Sequence, residues 1–289
     1  MGLSSCSCCS AAHLILAGTS ILRNFASKRG VEELKKCAAG GKGGSCRDVI
    51  LRYKSEIVDY ATSEPREASA ELNAMGEALE NGCRCIHKVI IYSSDTEAGL
   101  ESSSILKEAL ERLCPSLSGR VEVKRVNRLG QPDAMWGGLK NLHSMMVNDI
   151  KSLLKEGYAV AVNLTGGFKP ESGYALYASM NRAHVAYYVH ESFRKPVYII
   201  LRGPVELKAL AQAHSRCVKP DKRGCSFGLR EAAAMVGGGS DMAEDLAKIA
   251  CALESVDPGL IRVWMEEGEC KVEIYNSNVY RDLVEIAYE

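Results

Sequence analysis

The segment from residue 160 to residue 171 reads Val160-Ala161-Val162-Asn163-Leu164-Thr165-Gly166-Gly167-Phe168-Lys169-Pro170-Glu171. Its first part is apolar and largely β-branched except at Asn163, as is typical of a parallel strand covered on both faces. Two glycines follow, and they allow a tight turn and a close approach of a ligand to the backbone. Pro170 suits the first turn of a helix. The segment therefore predicts a strand, a glycine turn and a helix N-terminus, which together form an anion site beside Lys169.

Apolar strands alternate with helical patterns through the first two thirds of the chain. Strands are predicted at 13–18, 88–92, 121–126, 158–164, 186–189 and 197–201. This alternation indicates an α/β fold, a Rossmann-like and mostly parallel sheet with helices on both faces. Residues 31–81 are too many for one crossover, so we expect a helical insertion of two or three helices there. The spacing of Ala68, Leu72, Met75 and Leu79 predicts the last of them.

The alternation of strands and helices ends after residue 204. Helices predicted at 205–213, 229–236 and 242–253 precede two short strands at 260–265 and 270–275, which predict a hairpin, and then a final helix. We therefore expect two domains. Residues 1–204 form the Rossmann-like domain, and residues 205–289 form a small α+β domain whose order of elements resembles a winged helix-turn-helix.

Charge is distributed unevenly although the chain is neutral overall. Residues 206–289 contain 10 basic and 15 acidic side chains, so this part carries −5 and the first 205 residues carry +5. An anionic ligand is therefore expected on the first part, and the acidic C-terminal part is disfavoured for DNA binding despite its shape. No apolar run reaches the roughly 18 residues of a membrane span, and we expect a cytoplasmic protein with no membrane partner.

The chain contains 12 cysteines. There are no two C-x-x-C pairs, so a structural zinc site is not indicated. We interpret most of the cysteines as small buried hydrophobic residues. Disulfides, which do form inside hyperthermophile cells, are the alternative, and a metal site of Cys6, Cys8 and Cys9 is a weaker one.

Polar groups are expected to converge at the carboxyl ends of the strands, where open α/β sheets bind ligands. They are mostly hydroxyls, glycines and two cations: Gly18, Thr19, Ser20, Ser94, Asp95, Thr96, Asn127, Arg128, Thr165, Gly166, Gly167 and Lys169. Because metal-dependent phosphoryl chemistry needs clustered carboxylates, this set suits a phosphodiester ligand and no metal or other cofactor. A P-loop and a dinucleotide fingerprint are both absent, which argues against ATP and NAD. Ser94, Asp95 and Thr96 suit a helix cap equally well.

Two motifs together resemble the CRISPR-associated Rossmann fold (CARF) family, namely Gly18-Thr19-Ser20-Ile21-Leu22-x-Asn24 and Asn163-Leu164-Thr165-Gly166-Gly167-Phe168-Lys169-Pro170. Within that family, the chain is most similar to archaeal ring nucleases that degrade cyclic tetra-adenylate, over about residues 11–204. The resemblance implies a homodimer with the ring on its two-fold axis. It also implies that Ser20 and Lys169 are the catalytic pair. The expected ligand contacts are Gly18, Thr19, Asn24, Ser94, Thr96, Arg128, Thr165, Gly166 and Gly167.

The resemblance leads to a hypothesis of metal-independent cleavage. The 2′-hydroxyl of the ligand attacks its own phosphate, Lys169 neutralises the developing charge, and Ser20 orients either the ribose hydroxyl or the phosphate. The products are linear di-adenylates with a 2′,3′-cyclic phosphate, and their formation switches off type III CRISPR antiviral signalling. Tyr174 and Tyr177 have the chemistry to stack on adenine, but we expect them to pack in the core.

Two other functions remain open. The domain could be a cyclic-oligoadenylate sensor that binds the ring without cleaving it and controls a C-terminal transcriptional regulator. It could also be a small-nucleotide-binding α/β protein unrelated to CRISPR. A C-terminal HEPN ribonuclease is excluded, because its motif needs an arginine followed by a histidine and no histidine follows His214.

Overall fold

The computed structural model describes residues 9–40, 45–190, 195–202, 204–217 and 225–275. The final helix expected after residue 275 lies outside these residues. Among the helices described, none is both long and apolar enough to cross a membrane.

A six-stranded sheet forms the centre of the structure. Its strands are β1 (Ala11–Leu16), β2 (Ile86–Ser93), β3 (Val121–Arg125), β4 (Ala159–Asn163), β5 (Val185–Tyr188) and β6 (Val197–Ile200), in the order β3-β2-β1-β4-β5-β6. The first five strands pair in parallel. β6 pairs antiparallel with β5. The predicted Rossmann-like, mostly parallel sheet is therefore confirmed, and each predicted strand is present with its ends shifted by a few residues.

Helices surround this sheet. They are α1 (Ser20–Arg29), α2 (Glu32–Ala38), α3 (Cys46–Ser63), α4 (Pro65–Ala68), α5 (Ala70–Ala74), α6 (Gly76–Glu80), α7 (Glu97–Leu113), α8 (Met135–Lys155) and α9 (Lys169–Ser179). Alternate residues of β1 enter two separate apolar layers. Leu14 and Leu16 pack with α8 and α9, whereas Ala11 and Ile15 pack with the helices on the opposite face. Burial on both faces explains why the strand sequences are almost continuously apolar.

The insertion between β1 and β2 contains five helices, α2 to α6, rather than two or three. The difference arises at Ser69, whose backbone is extended between α4 and α5 and whose side chain accepts a hydrogen bond from the amide of Leu72. A serine that caps a new helix interrupts a pattern that otherwise reads as one continuous helix. The break at Ser69 directs the start of α5 towards the end of β1.

The C-terminal part consists of α10 (Pro204–Cys217), β7 (Cys225–Gly228), α11 (Leu229–Met235), α12 (Ser240–Val256), β8 (Ile261–Glu266) and β9 (Glu269–Ile274). The predicted hairpin is present as β8 and β9, and β7, which we did not predict, adds to it in the order β7-β9-β8. The sequence of helix, strand, two helices and hairpin is the order of a winged helix-turn-helix. In such domains the second helix of the pair, here α12, is the one that reads DNA.

Helix α12 packs against the central sheet. Its second half is buried, and its apolar residues belong to the same core layer as α1, α3 and β1. His13 on β1 contacts the hydroxyl of Ser255 at 2.9 Å, and a disulfide joins Cys9 to Cys251. The C-terminal helices and the Rossmann-like sheet therefore share one continuous core.

Six of the described cysteines form disulfides, namely Cys9–Cys251, Cys37–Cys46 and Cys83–Cys114. These six residues are also buried, so the expectation of burial is confirmed. The interpretation of them as simple hydrophobic side chains is wrong, and the alternative of disulfides applies instead. Cys6 and Cys8, which were considered as metal ligands, lie outside the described residues.

Candidate functional site

The chain reverses its direction of winding between β1 and β4, because β2 and β3 lie on one side of β1 whereas β4, β5 and β6 lie on the other. The carboxyl ends of β1 and β4 are therefore the switch point at which such sheets bind ligands. The two predicted glycine turns meet there. A Cβ atom added to Gly18 would lie 3.2 Å from the amide nitrogen of Gly167.

A cleft of about 1150 Å³ opens beside these turns. Five of the predicted site residues line it, namely Ser20, Asn24, Thr165, Gly167 and Lys169. Further polar side chains that we did not predict also line it, among them Arg23, Arg66, Ser69, Asn73 and His190. Two motifs far apart in the sequence thus contribute to one cleft, together with the insertion.

Lys169 is the first residue of α9 and is exposed at the cleft. No described residue forms an ion pair with it. The amides of Gly166 and Gly167 donate to no acceptor among the described residues, and the backbone of Gly167 has a positive φ of 80°. Glu171 closes the N-terminus of the helix, because its carboxylate accepts a hydrogen bond from the amide of Phe168 at 2.9 Å. Gly167 and Lys169 line the cleft, so the amide of Gly167 and the ammonium of Lys169 are available to an anion there, whereas Gly166 is buried and is not among the lining residues.

Burial raises the pKa of Glu171 above its ordinary value, and the hydrogen bond from Phe168 opposes that rise.

Ser20, the first residue of α1, is held by the insertion. Its hydroxyl donates to Oε2 of Glu71 at 3.0 Å and accepts from the amide of Ala70 at 3.1 Å. Glu71 is 2% exposed. It also accepts hydrogen bonds from the amide of Gly18 at 2.7 Å and from the hydroxyl of Ser69 at 2.8 Å. A single buried carboxylate therefore ties the end of β1, the catalytic candidate Ser20 and the insertion together.

We did not predict Glu71, although the sequence contains a signal for it. Residue 71 lies three positions after Ala68 and four before Met75, on the same helical face as these apolar residues. A charged residue on an apolar face must find partners when it is buried. Glu71 lies on α5 of the insertion and not at the end of a strand, so the polar set predicted at the strand ends did not include it.

Three other predicted residues at the switch point allow the backbone turns to pack closely against their neighbours. The hydroxyl of Thr19 donates to the carbonyl of Ala38 at 2.9 Å. Gly166 is buried, and a Cβ atom there would collide with Oε1 of Glu71 and with the carbonyl oxygen of Leu16. Gly18 approaches the second glycine turn in the same way. These contacts explain why small residues and short hydroxyls occupy the two turns.

The predicted contacts from β2 and β3 lie elsewhere. Ser94, Thr96 and Arg128 are not among the residues that line the cleft. The hydroxyl of Thr96 caps α7 by accepting from the amide of Gly99 at 3.1 Å, and it contacts the hydroxyl of Ser94 at 3.0 Å.

Asp95 organises the loop that follows β3. It accepts a hydrogen bond from the amide of Arg128 at 2.9 Å and forms an ion pair with Arg125. The hydrogen bond from Arg128 is the main reason that the pKa of Asp95 is lowered. Of residues 94–96, the structure shows a helix cap at Thr96, and contact of this segment with a ligand stays a prediction.

Tyr174 and Tyr177 differ in their exposure to solvent. Tyr174 is partly buried, packs on the core and forms an edge contact with Trp136, with ring centroids 6.4 Å apart. Tyr177 is 64% exposed and stacks on His143 at 5.2 Å. The expectation of core packing is therefore wrong for Tyr177.

Among the described residues, one group of side chains is arranged to hold a metal ion, formed by Cys9, Cys85 and Glu254. All three are buried, none of them lines the cleft, and Cys9 is already bonded to Cys251.

Residues 66–200 match the model of a family described as CRISPR-associated protein (Cas_APE2256). The matched segment is slightly less than half of the chain. It begins within the insertion, includes Glu71 and Lys169, and ends with β6. No curated protein matches the chain. The similarity of its central segment to this family supports an association of the protein with CRISPR systems.

Proposed function

We propose that this protein is a ring nuclease that binds cyclic tetra-adenylate as a homodimer and cleaves it to linear di-adenylates with a 2′,3′-cyclic phosphate, without a metal ion. The observation that carries the proposal is that Ser20 and Lys169 line one cleft at the switch point. Their motifs resemble the CARF family, and the segment that contains Lys169 matches a CRISPR-associated family.

The dimensions of the cleft suit an oligonucleotide. Its volume of about 1150 Å³ lies above the range of about 300 to 1,000 Å³ that is common for small-molecule sites. We assign the phosphate to Lys169 and the amide of Gly167, because these two donors line the cleft and have no competing acceptor among the described residues. Arg23 adds a second exposed cation to the cleft.

In the proposed reaction, the 2′-oxygen of the ligand attacks the adjacent phosphorus in line with the 5′-oxygen. The bond between phosphorus and the 5′-oxygen breaks, the 2′-hydroxyl loses its proton, and the 5′-oxygen gains one from solvent. Lys169 and the amide of Gly167 stabilise the charge that develops on the non-bridging oxygens. Ser20 holds the ribose in position for the attack.

Exposed apolar side chains on α8 and α9 support a homodimer. Trp136 is 74% exposed, Phe168 is 71% exposed and Tyr177 is 64% exposed. Exposed aromatic residues of this kind are enriched at protein interfaces. Because Phe168 directly precedes Lys169, a two-fold contact through this surface brings two clefts near one another. Each subunit then presents the same residues to opposite linkages of the ring.

The sensor is the second candidate, and the order of elements in the C-terminal part favours it. The structure of α12 argues against a sensor that binds DNA. The second half of this helix is buried on the sheet, and its first turns carry Asp241, Glu244 and Asp245. Asp245 forms an ion pair with Arg202 at 2.9 Å. An acidic helix repels a phosphate backbone.

The test is to incubate the purified protein with radiolabelled cyclic tetra-adenylate in EDTA. We expect slow conversion to a linear product that carries a 2′,3′-cyclic phosphate. Lys169→Ala should reduce the rate by about 10²–10³-fold, as the loss of one charge-stabilising donor does elsewhere. Lys151→Ala, which removes an exposed lysine of α8 outside the cleft, should leave the rate unchanged.

Full activity of Lys169→Ala, or loss of activity in EDTA, would contradict the proposed mechanism. Binding of the ring without cleavage would favour the sensor. Absence of binding would leave the unrelated nucleotide-binding protein as the remaining candidate.

A further inference from the structure

The hydrogen bonds around Ser20 define the direction of its proton. A serine hydroxyl has one proton to donate and two lone pairs with which to accept. The amide of Ala70 is 3.1 Å from Oγ, and an amide N–H can only donate, so it occupies one lone pair. The other neighbour is the carboxylate of Glu71, 3.0 Å away. The proton of Ser20 therefore points to Glu71.

The other partners of Glu71 are donors as well. The amide of Gly18 donates to Oε1 at 2.7 Å. The hydroxyl of Ser69 lies 2.8 Å from Oε2 and already accepts from the amide of Leu72 at 3.1 Å, so its proton also points to Glu71. Because Glu71 is buried, these donors replace water around it. The carboxylate thus accepts from Gly18, Ser20 and Ser69 at once.

One lone pair on Ser20 is left, and Ser20 lines the cleft. A lone pair can accept a hydrogen bond from a hydroxyl but cannot bind a phosphate oxygen, which is itself an acceptor. We propose that Glu71 is a positioning residue that makes Ser20 an acceptor for a sugar hydroxyl of the ligand, so that the site distinguishes ribose from deoxyribose. The proposal rests on the proposed function and assigns Ser20 to the ribose and Lys169 to the phosphate.

The test compares the binding of two probes, cyclic tetra-adenylate and its 2′-deoxy counterpart. The parent protein and every variant of it carry Lys169→Ala, so that the ribose ring stays intact during the measurement. In the parent, the ribose ring should bind about tenfold more tightly, as the loss of one hydrogen bond implies. Ser20→Ala should remove this preference.

Glu71→Gln is the decisive variant. A glutamine can direct its amide donors at Ser20 and reverse the direction of the serine proton, so the preference for ribose should fall from about tenfold to about onefold. A merely structural role would weaken the binding of both rings equally and leave their ratio unchanged. Glu171→Gln is the matched control. It changes the other buried carboxyl group beside the glycine turn, which has no hydrogen bond to Ser20, so the ratio should stay as in the parent.

An unchanged ratio in Glu71→Gln, or equal binding of the two rings by the parent, would overturn this inference and leave the proposed function standing. If Glu71→Gln fails to fold, persistence of the preference in Ser20→Ala would overturn the inference instead. Failure of the wild-type protein to bind the ribose ring would refute the proposed function itself, and the inference with it.

Discussion

At the scale of single residues, the site depends on how closely the backbone turns approach the insertion. Gly166 is the extreme case, because a Cβ atom there has no space on either side. One obstacle is the carboxylate of Glu71, and the other is the carbonyl oxygen of Leu16, which belongs to β1 and cannot move without distorting the sheet. This position therefore tolerates glycine alone for reasons of packing.

We predict that Gly166→Ala lowers the free energy of unfolding by about 1 to 3 kcal/mol, the usual cost of overpacking. Gly173→Ala is the control, because a Cβ atom on Gly173, which lies within α9, has no neighbour within 4 Å. It should stabilise the protein by about 0.5 to 1 kcal/mol, since alanine favours a helix more than glycine does. Urea denaturation measures both effects. Equal stability of the two variants would show that Gly166 is not constrained by packing.

At the scale of elements, β1 is connected to β5 and to α12 through polar groups as well as apolar ones. His13 lies in the middle of the strand, where its ring contacts the hydroxyls of Tyr187 on β5 and Ser255 on α12 at 2.8 and 2.9 Å. It is fully buried. Burial disfavours the charged ring and lowers the pKa of His13 from 6.5 to about 3. Burial is also the main reason that the pKa of His184 falls to about 3.

These histidines predict destabilisation by acid. Between pH 6.5 and pH 3 the unfolded chain binds protons that the folded protein excludes, so the free energy of unfolding falls as the pH falls. Each histidine contributes a slope of up to about 1.4 kcal/mol per pH unit in this window. His13→Gln removes one of these titrations and should make the slope shallower by about that amount. Urea denaturation of the wild-type protein and of His13→Gln at several pH values measures this slope. The difference between the two slopes belongs to His13, because carboxyl groups that titrate in the same range contribute equally to both. An identical slope would mean that His13 is protonated within the fold.

At the scale of the whole molecule, the central sheet carries three features. These are the cleft, the exposed surface of α8 and α9, and the buried helix α12. The layer that contains α8 and α9 leaves its aromatic side chains exposed next to Lys169. The opposite layer is closed by α12, which shares a core with the sheet and is bonded to Cys9. One side of the sheet thus presents exposed aromatic side chains, and the other side is occupied by the C-terminal helices.

We predict that Trp136→Arg converts the proposed homodimer to a monomer, because it places a charge on the exposed aromatic surface. Leu51→Arg is the matched control, since Leu51 is 45% exposed on α3, away from that surface. Sedimentation velocity distinguishes the two states. A wild-type monomer, or a dimer that survives in Trp136→Arg, would contradict the assignment of this surface.

Local patterns of the sequence were sufficient for the sheet, for most of the helices around it and for five residues that line the cleft. Burial of each segment sets its pattern of apolar residues, and that pattern predicts a strand or a helix within a few residues of sequence. The two turns are predicted in the same way, because glycine marks the backbone conformation that they need. The number of helices in the insertion was not visible in this way. Ser69 caps a helix only because its hydroxyl faces Glu71 and the amide of Leu72.

The sequence by itself determined that this is an α/β protein with a glycine turn at Gly166 and Gly167. The anion site at this turn stays a prediction, and the catalytic pair of Ser20 and Lys169 is what the resemblance of the two motifs implies. Only the tertiary structure decided that Glu71, 51 residues from Ser20 along the chain, completes the site, and that Ser94, Thr96 and Arg128 lie outside the cleft. The physical reason is that a hydrogen bond of this kind depends on the distance between atoms in the folded chain. Packing of the insertion sets that distance, and no local pattern near Ser20 encodes it.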